Sequence, residues 1–111
     1  MESITYTDFD KIDMRVGTII AVKEFPEARK PAYQLSIDFG ELGIKKSSAQ
    51  ITKLYTPSTL MGLQVIAVIN FPPKQIANFI SECLVLGVLG EEGSVNLLKP
   101  GMEAKNGQRI A

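Results

Sequence analysis

The chain contains no histidine, no tryptophan and only one cysteine among its 111 residues. Because histidine is absent, there is no imidazole general base, no Ser-His or Cys-His nucleophile pair and no histidine metal ligand. The lone Cys83 excludes an internal disulfide and a thiolate zinc cluster. We therefore predict no catalytic residue, no cofactor and no metal site, and we do not expect an enzyme.

The sequence also lacks a long apolar run. The longest, residues 65–69 and 83–90, are far shorter than the roughly 20 residues that a membrane helix needs. Residues 1–13 are acidic and polar, without the basic and apolar regions of a secretory signal. Together these features predict a cytoplasmic protein that does not insert into a membrane.

Motifs that carry chemistry are sparse. The chain has neither a glycine-rich phosphate loop ending in lysine and serine nor a dinucleotide-binding fingerprint. Glu82, Glu91 and Glu92 have no second motif beside them, and we interpret them as solvated carboxylates. Cys83 lies among apolar residues, which favours a buried structural thiol over a nucleophile. Binding is therefore the function class that the sequence favours.

Charge is balanced overall but not along the chain. Twelve basic and twelve acidic side chains give a net charge of zero, which excludes a strongly basic nucleic-acid binder on net charge alone. Residues 29–80, however, carry six basic side chains against only Asp38 and Glu41. If these lysines and arginines share one face they can meet phosphates, whereas scattered ones are ordinary solvated side chains.

Short segments rich in β-branched residues alternate with turn signals along the chain. The predicted strands cover residues 15–23, 33–39, 44–51, 65–70, 81–89 and 95–98. Residues 71–75 are predicted to be a loop because they contain two prolines. Gly17, inside the first predicted strand, predicts a bend or bulge there.

Two short helical turns are predicted between or before the strands. One covers about residues 7–12, with Thr7 as its cap. The other covers residues 55–62, with Thr56 as the cap, Pro57 at the first helical position and Gly62 at the end.

This order of elements predicts a mainly β protein, a small five-stranded antiparallel barrel of the OB-fold type. The short helix falls between strands three and four, as that fold requires. We expect one domain over residues 1–111, with the N-terminal helical turn and extra C-terminal strands at about residues 93–110 as short extensions. A β-sandwich is the alternative, but the position of the helix argues against it.

Two of the predicted strands, residues 65–69 and 83–89, are apolar on both faces. A strand in a small barrel buries only its inward side chains, so something else must cover the outer faces. A second copy of the chain is the simplest cover, which predicts a homodimer. The alternative is that the terminal segments fold back over these strands.

Several motifs follow one another in an order that resembles tRNA-binding domains. They are Arg15-Val16-Gly17, residues 25–30, 37–40 and 70–74, and the segment from Ile80 to Leu86. Such domains occur as appendages of methionyl- and phenylalanyl-tRNA synthetases and as free-standing proteins. Residues 46–52 together with Asn70-Phe71-Pro72-Pro73 are similar to the CsaA-type branch, the secretion-associated chaperones.

The resemblance implies an OB-fold homodimer that binds unfolded or export-bound polypeptides near the dimer seam. It further implies the preprotein-translocation ATPase and tRNA as partners. Phe71, Phe79 and Ile80 are the candidate peptide-binding residues, as apolar side chains of a groove near that seam.

The resemblance also implies an alternative function, a free-standing structure-specific tRNA-binding protein that acts in trans. In tRNA-binding members the segment that matches Ser81 to Leu84 reads Ser-x-Gly-Met, whereas Cys83 and Leu84 replace the glycine and methionine here. The candidate RNA-binding residues are Lys30, Lys45, Lys46, Lys53, Asn70, Lys74, Ser81 and Leu84.

Overall fold

The computed structural model describes residues 1–111 and contains nine strands and two short helices. The strands are β1 Met14–Glu24, β2 Tyr33–Asp38, β3 Ile44–Ala49, β4 Gln64–Val68, β5 Lys74–Ile76, β6 Phe79–Ser81, β7 Leu84–Val85, β8 Gly87–Leu89 and β9 Val95–Leu97. The helices are α1 Tyr6–Asp10 and α2 Pro57–Leu60. Neither helix has the length or apolar character needed to cross a membrane.

Five strands form one antiparallel sheet in the order β3-β2-β1-β4-β7. The long strand β1 pairs with β4 through Met14–Thr18 and with β2 through its C-terminal half, and a bulge between Ile19 and Ala21 interrupts the second pairing. The two ends of the sheet meet where the Glu82 N–H donates to the Lys46 carbonyl oxygen at 2.7 Å. The result is a nearly closed barrel with α2 between β3 and β4, which confirms the predicted mainly β OB-fold.

The barrel interior is filled by alternate side chains of its strands. On β2, Tyr33, Leu35 and Ile37 are buried, as the period-2 pattern predicts. Gly17 leaves room for this core, because a Cβ there would lie 2.8 Å from the Phe39 ring. The prediction of a bulge at Gly17 is therefore wrong: the bulge lies further along β1, and the glycine serves close packing.

The local signals at the two helices differ in how well they predict the helix boundaries. α2 begins after the Thr56 cap, has Pro57 at its first position and is followed by Gly62 at a φ of +81°. These features confirm the prediction. α1 begins at Tyr6, one residue before the predicted start, because Thr5 rather than Thr7 caps it and exchanges hydrogen bonds with Asp8.

Two predicted segments have a different structure. The predicted loop after β4 continues as strand β5, which pairs with β6 across a two-residue turn. The predicted strand 81–89 is broken into β7 and β8, because the chain changes partners along it. Glu82 bonds to β3, while the Leu86 N–H donates to the Ile66 carbonyl oxygen of β4 at 2.9 Å.

The C-terminal segment lies along the free edge of the N-terminal half of β1. The Val16 N–H donates to the Gln108 carbonyl oxygen, and the Ile110 N–H donates to the Met14 carbonyl oxygen. Residues 65–68 of β4 are all buried within one chain. For β4, then, the chain covers its own apolar faces, whereas Val88 and Leu89 of β8 stay exposed.

Candidate ligand-binding surface

The β5–β6 hairpin borders two cavities, and Lys74 lines both of them. The larger has a volume of about 880 Å³ and lies among β5, the end of β3 and the connection after β1. We call it the basic cavity, because its charged and polar lining includes Arg29, Lys30, Ser48, Gln50, Lys74 and Gln75. Three cations against one carboxylate, that of Glu27, give this lining a net positive charge, so part of the positive middle of the chain becomes a single surface here.

The smaller cavity has a volume of about 390 Å³, and we call it the apolar groove. Its apolar lining comes from Phe71, Pro72, Cys83 and Leu84, and its polar lining comes from Lys74, Ser81 and Glu82, so Lys74 is its only basic and Glu82 its only acidic lining residue. The Phe71 side chain is 53% exposed and that of Leu84 is 47% exposed. Two large apolar side chains left half exposed in one concave site can gain free energy by burying against a ligand.

The local sequence explains why Phe71 stays outside the core. Pro72 and Pro73 fix their own φ angles and restrict the residue before each of them to extended backbone. After β4 the chain bends at Phe71, continues through the two prolines into β5 and turns back at Ala77, which has a φ of +53°. This path holds Phe71 beside Leu84 and carries Lys74 between the two cavities.

The structure separates Lys45 from Lys46. Side chains alternate along a strand, and buried Ser47 and Ala49 share the inward side of β3 with Lys45. Lys46 shares the opposite side with Ser48, which lines the basic cavity. The two lysines therefore cannot act as one phosphate-binding pair.

Asn70 and Ser81 are used inside the protein. The Asn70 Oδ1 accepts a hydrogen bond from the Asp13 N–H at 3.0 Å, and its Nδ2 donates to the Lys11 carbonyl oxygen at 2.7 Å. The Ser81 hydroxyl accepts from the Ser48 N–H at 3.1 Å, which ties β6 to β3. Both side chains hold chain segments together, and their RNA-binding role stays a prediction.

Lys53 and Leu84 also have surroundings other than those predicted. The Lys53 ammonium donates to the Glu92 carbonyl oxygen and does not line the basic cavity. Leu84 lies with Phe71 in the apolar groove and does not line the basic cavity. Of the eight predicted RNA-binding residues, only Lys30 and Lys74 line the basic cavity.

The three predicted peptide-binding side chains are not together. Phe79 is 8% exposed and packs against Phe25 with 5.5 Å between ring centroids, so the expectation of an exposed Phe79 is wrong. Ile80 is exposed, but its cross-strand partner is Gln75, on the face of the hairpin opposite Lys74 and Ser81. Only Phe71 lies in the apolar groove.

Sequence reasoning missed Arg29 and Gln50 as lining residues of the basic cavity. Arg29 is adjacent to Lys30 in the proline-bounded connection, so charge alone could have identified it. No local signal identifies Gln50, because it reaches the cavity only through the curvature of the barrel after β3.

The Cys83 thiol lines the apolar groove and is largely buried. Burial, with a smaller effect of the Glu82 charge, raises the pKa of the Cys83 thiol to about 11. The thiol is therefore protonated at neutral pH, in agreement with the predicted buried structural role. The Glu82 carboxylate accepts a hydrogen bond from the Lys46 N–H at 3.0 Å and so supports barrel closure.

A nearly closed five-stranded barrel with a basic cavity beside an apolar groove defines a small OB-fold binding domain. The family described as "Putative tRNA binding domain" matches residues 14–109. The chain therefore belongs to the tRNA-binding domain family.

Similar proteins fall into two groups. A methionine–tRNA ligase of Porphyromonas gingivalis is 34% identical over 98% of this chain, but the chain spans only 16% of the length of that ligase. The chaperone CsaA of Bacillus anthracis is 55% identical, with a TM-score of 0.95, and the match covers 99% of this chain and 100% of that one. The CsaA chaperone of Picrophilus torridus is 56% identical, with a TM-score of 0.92, over 98% of this chain and 100% of that one.

Proposed function

We propose that this member of the tRNA-binding domain family is a chaperone that binds extended apolar polypeptide segments in the apolar groove. The observation that carries the proposal is the pair of half-exposed side chains, Phe71 and Leu84, in one concave site. The likeness to the two CsaA chaperones, which extends over nearly the whole chain, supports it.

Binding in such a groove depends on apolar burial rather than on a sequence code. Fully burying one leucine or phenylalanine side chain contributes roughly 1.5–3 kcal/mol, whichever polypeptide it belongs to. Lys74 at the edge of the groove adds an ionic contact for an acidic residue of the client. A site of this kind accepts many unfolded segments, as a chaperone requires.

The resemblance to secretion-associated chaperones extends the proposal to partners. We propose export-bound precursors as clients and the preprotein-translocation ATPase as the protein that receives them. We also propose a homodimer, with exposed Val88 and Leu89 of the β8–β9 hairpin in the contact. Apolar side chains that the chain leaves uncovered support this assembly.

Fluorescence anisotropy of a labelled, unfolded leucine-containing peptide tests the proposed polypeptide site. We expect saturable binding that changes little between low and moderate salt, because apolar burial is not screened. Phe71→Ser and Leu84→Asn should each weaken binding about tenfold, in line with the loss of one buried apolar side chain. Leu54→Asn, another exposed leucine outside the groove, is the matched control. Unchanged affinity in both groove variants would contradict the proposal.

The basic cavity favours a second function, tRNA binding. Arg29, Lys30 and Lys74 offer cations for phosphates at one place, and this chain matches part of a methionine–tRNA ligase. A tRNA titration over a salt series should give a log–log slope of about −0.7 to −0.9 per neutralised phosphate. Arg29→Ala should weaken binding and reduce that slope by about one phosphate. Lys105→Ala, in a different cavity, should change neither quantity.

A further inference from the structure

We propose that tRNA and polypeptide exclude each other on one protomer, because Lys74 serves both of their sites. The proposal rests on the function proposed above. It adds a regulatory consequence, namely that each ligand lowers the affinity of the protein for the other.

The position of Lys74 is the first reason. It is the first residue of β5 and lines both the basic cavity and the apolar groove. A single ammonium group carries one positive charge, so an anion bound to it weakens its attraction for a second anion. A phosphate that engages Lys74 from the basic cavity therefore weakens the only cation that the apolar groove offers to a client.

The closeness of the two sites is the second reason. Both cavities border the short β5–β6 hairpin, which has three residues per strand. Ser81, opposite Lys74 on β6, lines the apolar groove, while Gln75 and Ile76 of β5 line the basic cavity. Neighbouring strands lie about 5 Å apart, so ligands in the two cavities are separated by only about one hairpin width. We expect a folded tRNA bound at the basic cavity to cover the apolar groove as well, because a tRNA is much larger than one hairpin width.

Substitution of Arg29 or of Leu84 allows the mutual exclusion to be tested separately from the binding of each ligand. Of these two cavities, Arg29 lines the basic cavity alone and Leu84 lines the apolar groove alone. Their substitution affects one ligand each, whereas substitution of Lys74 affects both. Because linkage is reciprocal, tRNA must weaken peptide binding by the same factor as peptide weakens tRNA binding.

The test is a competition measured at constant ionic strength. The probe is a fluorescein-labelled serine–glycine peptide that carries two leucines and one glutamate, and the competitor is unfractionated tRNA. We expect tRNA at ten times its own Kd to raise the apparent Kd of the peptide about tenfold. Lys74→Ala should weaken both ligands several-fold. Arg29→Ala should bind the peptide normally and require more tRNA for displacement.

Each outcome has a distinct meaning. Displacement in the wild type that shifts to higher tRNA concentration in Arg29→Ala supports the exclusion. Formation of a ternary complex, with peptide anisotropy rising further as tRNA is added, overturns the exclusion and leaves the proposed function intact. If neither ligand binds alone, the proposed function fails and the exclusion fails with it.

Discussion

At the scale of single residues, hydrogen bonds decide which polar side chains are available to a ligand. Asn70 and Ser81 belong to motifs that resemble an RNA site, yet their side chains are bonded to backbone groups of other segments. Lys30 and Lys74 have no such partner and line the basic cavity. Residue type alone could not distinguish the two groups, because the bonding partners of Asn70 lie more than fifty positions away.

Asn70→Ala should lower stability and leave tRNA binding unchanged. Loss of its two hydrogen bonds to the segment before β1 is expected to reduce the free energy of unfolding by about 1–2 kcal/mol. Urea denaturation measures the change, and Asn96→Ala, an exposed asparagine without a side-chain hydrogen bond, is the control. Weaker tRNA binding with unchanged stability would place Asn70 back in the RNA site.

Asp13 should make stability depend on acid pH. The hydrogen bond from Arg15, at 2.6 Å, holds the pKa of the Asp13 carboxyl below its usual range, and the Arg109 charge adds to this. The stabilisation is complete above the ordinary pKa of about 4 and is lost as the pH falls through the lower folded value.

Urea denaturation of Asp13→Asn between neutral and acid pH measures this dependence. The variant should be less stable than the wild type at neutral pH, and the difference should shrink in acid. Asp10→Asn, whose carboxylate makes no hydrogen bond, serves as the control. A difference between wild type and Asp13→Asn that does not vary with pH would refute the assignment.

At the scale of elements, local signals predict α2 well and the β5–β6 hairpin poorly. α2 is determined by the Thr56 cap, Pro57 and Gly62, which act within a few residues of one another. The hairpin contains polar residues after two prolines, so its sequence is typical of a loop. It becomes a hairpin because β6 is anchored to β3, where the Ser81 hydroxyl accepts from the Ser48 N–H.

Gly17→Ala should destabilise the barrel through overpacking. The new Cβ would lie 2.5 Å from the Ile37 side chain and 2.8 Å from the Phe39 ring, both fully buried. We expect a loss of about 1–3 kcal/mol in the free energy of unfolding, measured by urea denaturation. Gly101→Ala, where a Cβ meets nothing within 4 Å, should change stability little. Equal stability of the two variants would show that the core can rearrange around residue 17.

At the scale of the whole molecule, the two apolar strands that suggested an assembly differ in their exposure to solvent. The chain itself buries residues 65–68. The β8–β9 hairpin is different, because Val88 is 53% and Leu89 is 86% exposed. The proposed homodimer therefore depends on this hairpin rather than on β4.

Leu89→Glu tests the proposed dimer. A charged side chain in an apolar contact should shift the protein to monomer, as sedimentation velocity would measure, while the circular dichroism spectrum stays that of the wild type. Leu42→Glu, an exposed leucine in the turn after β2, should leave the sedimentation coefficient unchanged. A dimer that persists in Leu89→Glu, or a wild-type monomer, would exclude the β8–β9 hairpin as the contact.

The sequence by itself determined the features that depend on neighbours in the chain. The alternation in β2, the cap and proline of α2 and the apolar surroundings of Cys83 are local patterns, and together with the order of elements they predicted an OB-fold. Only the tertiary structure decided which side chains share a site. Barrel curvature brings Arg29 to Lys74 and packs Phe79 against Phe25. These contacts join residues far apart in sequence, and no local pattern records which strands will become neighbours once the barrel closes.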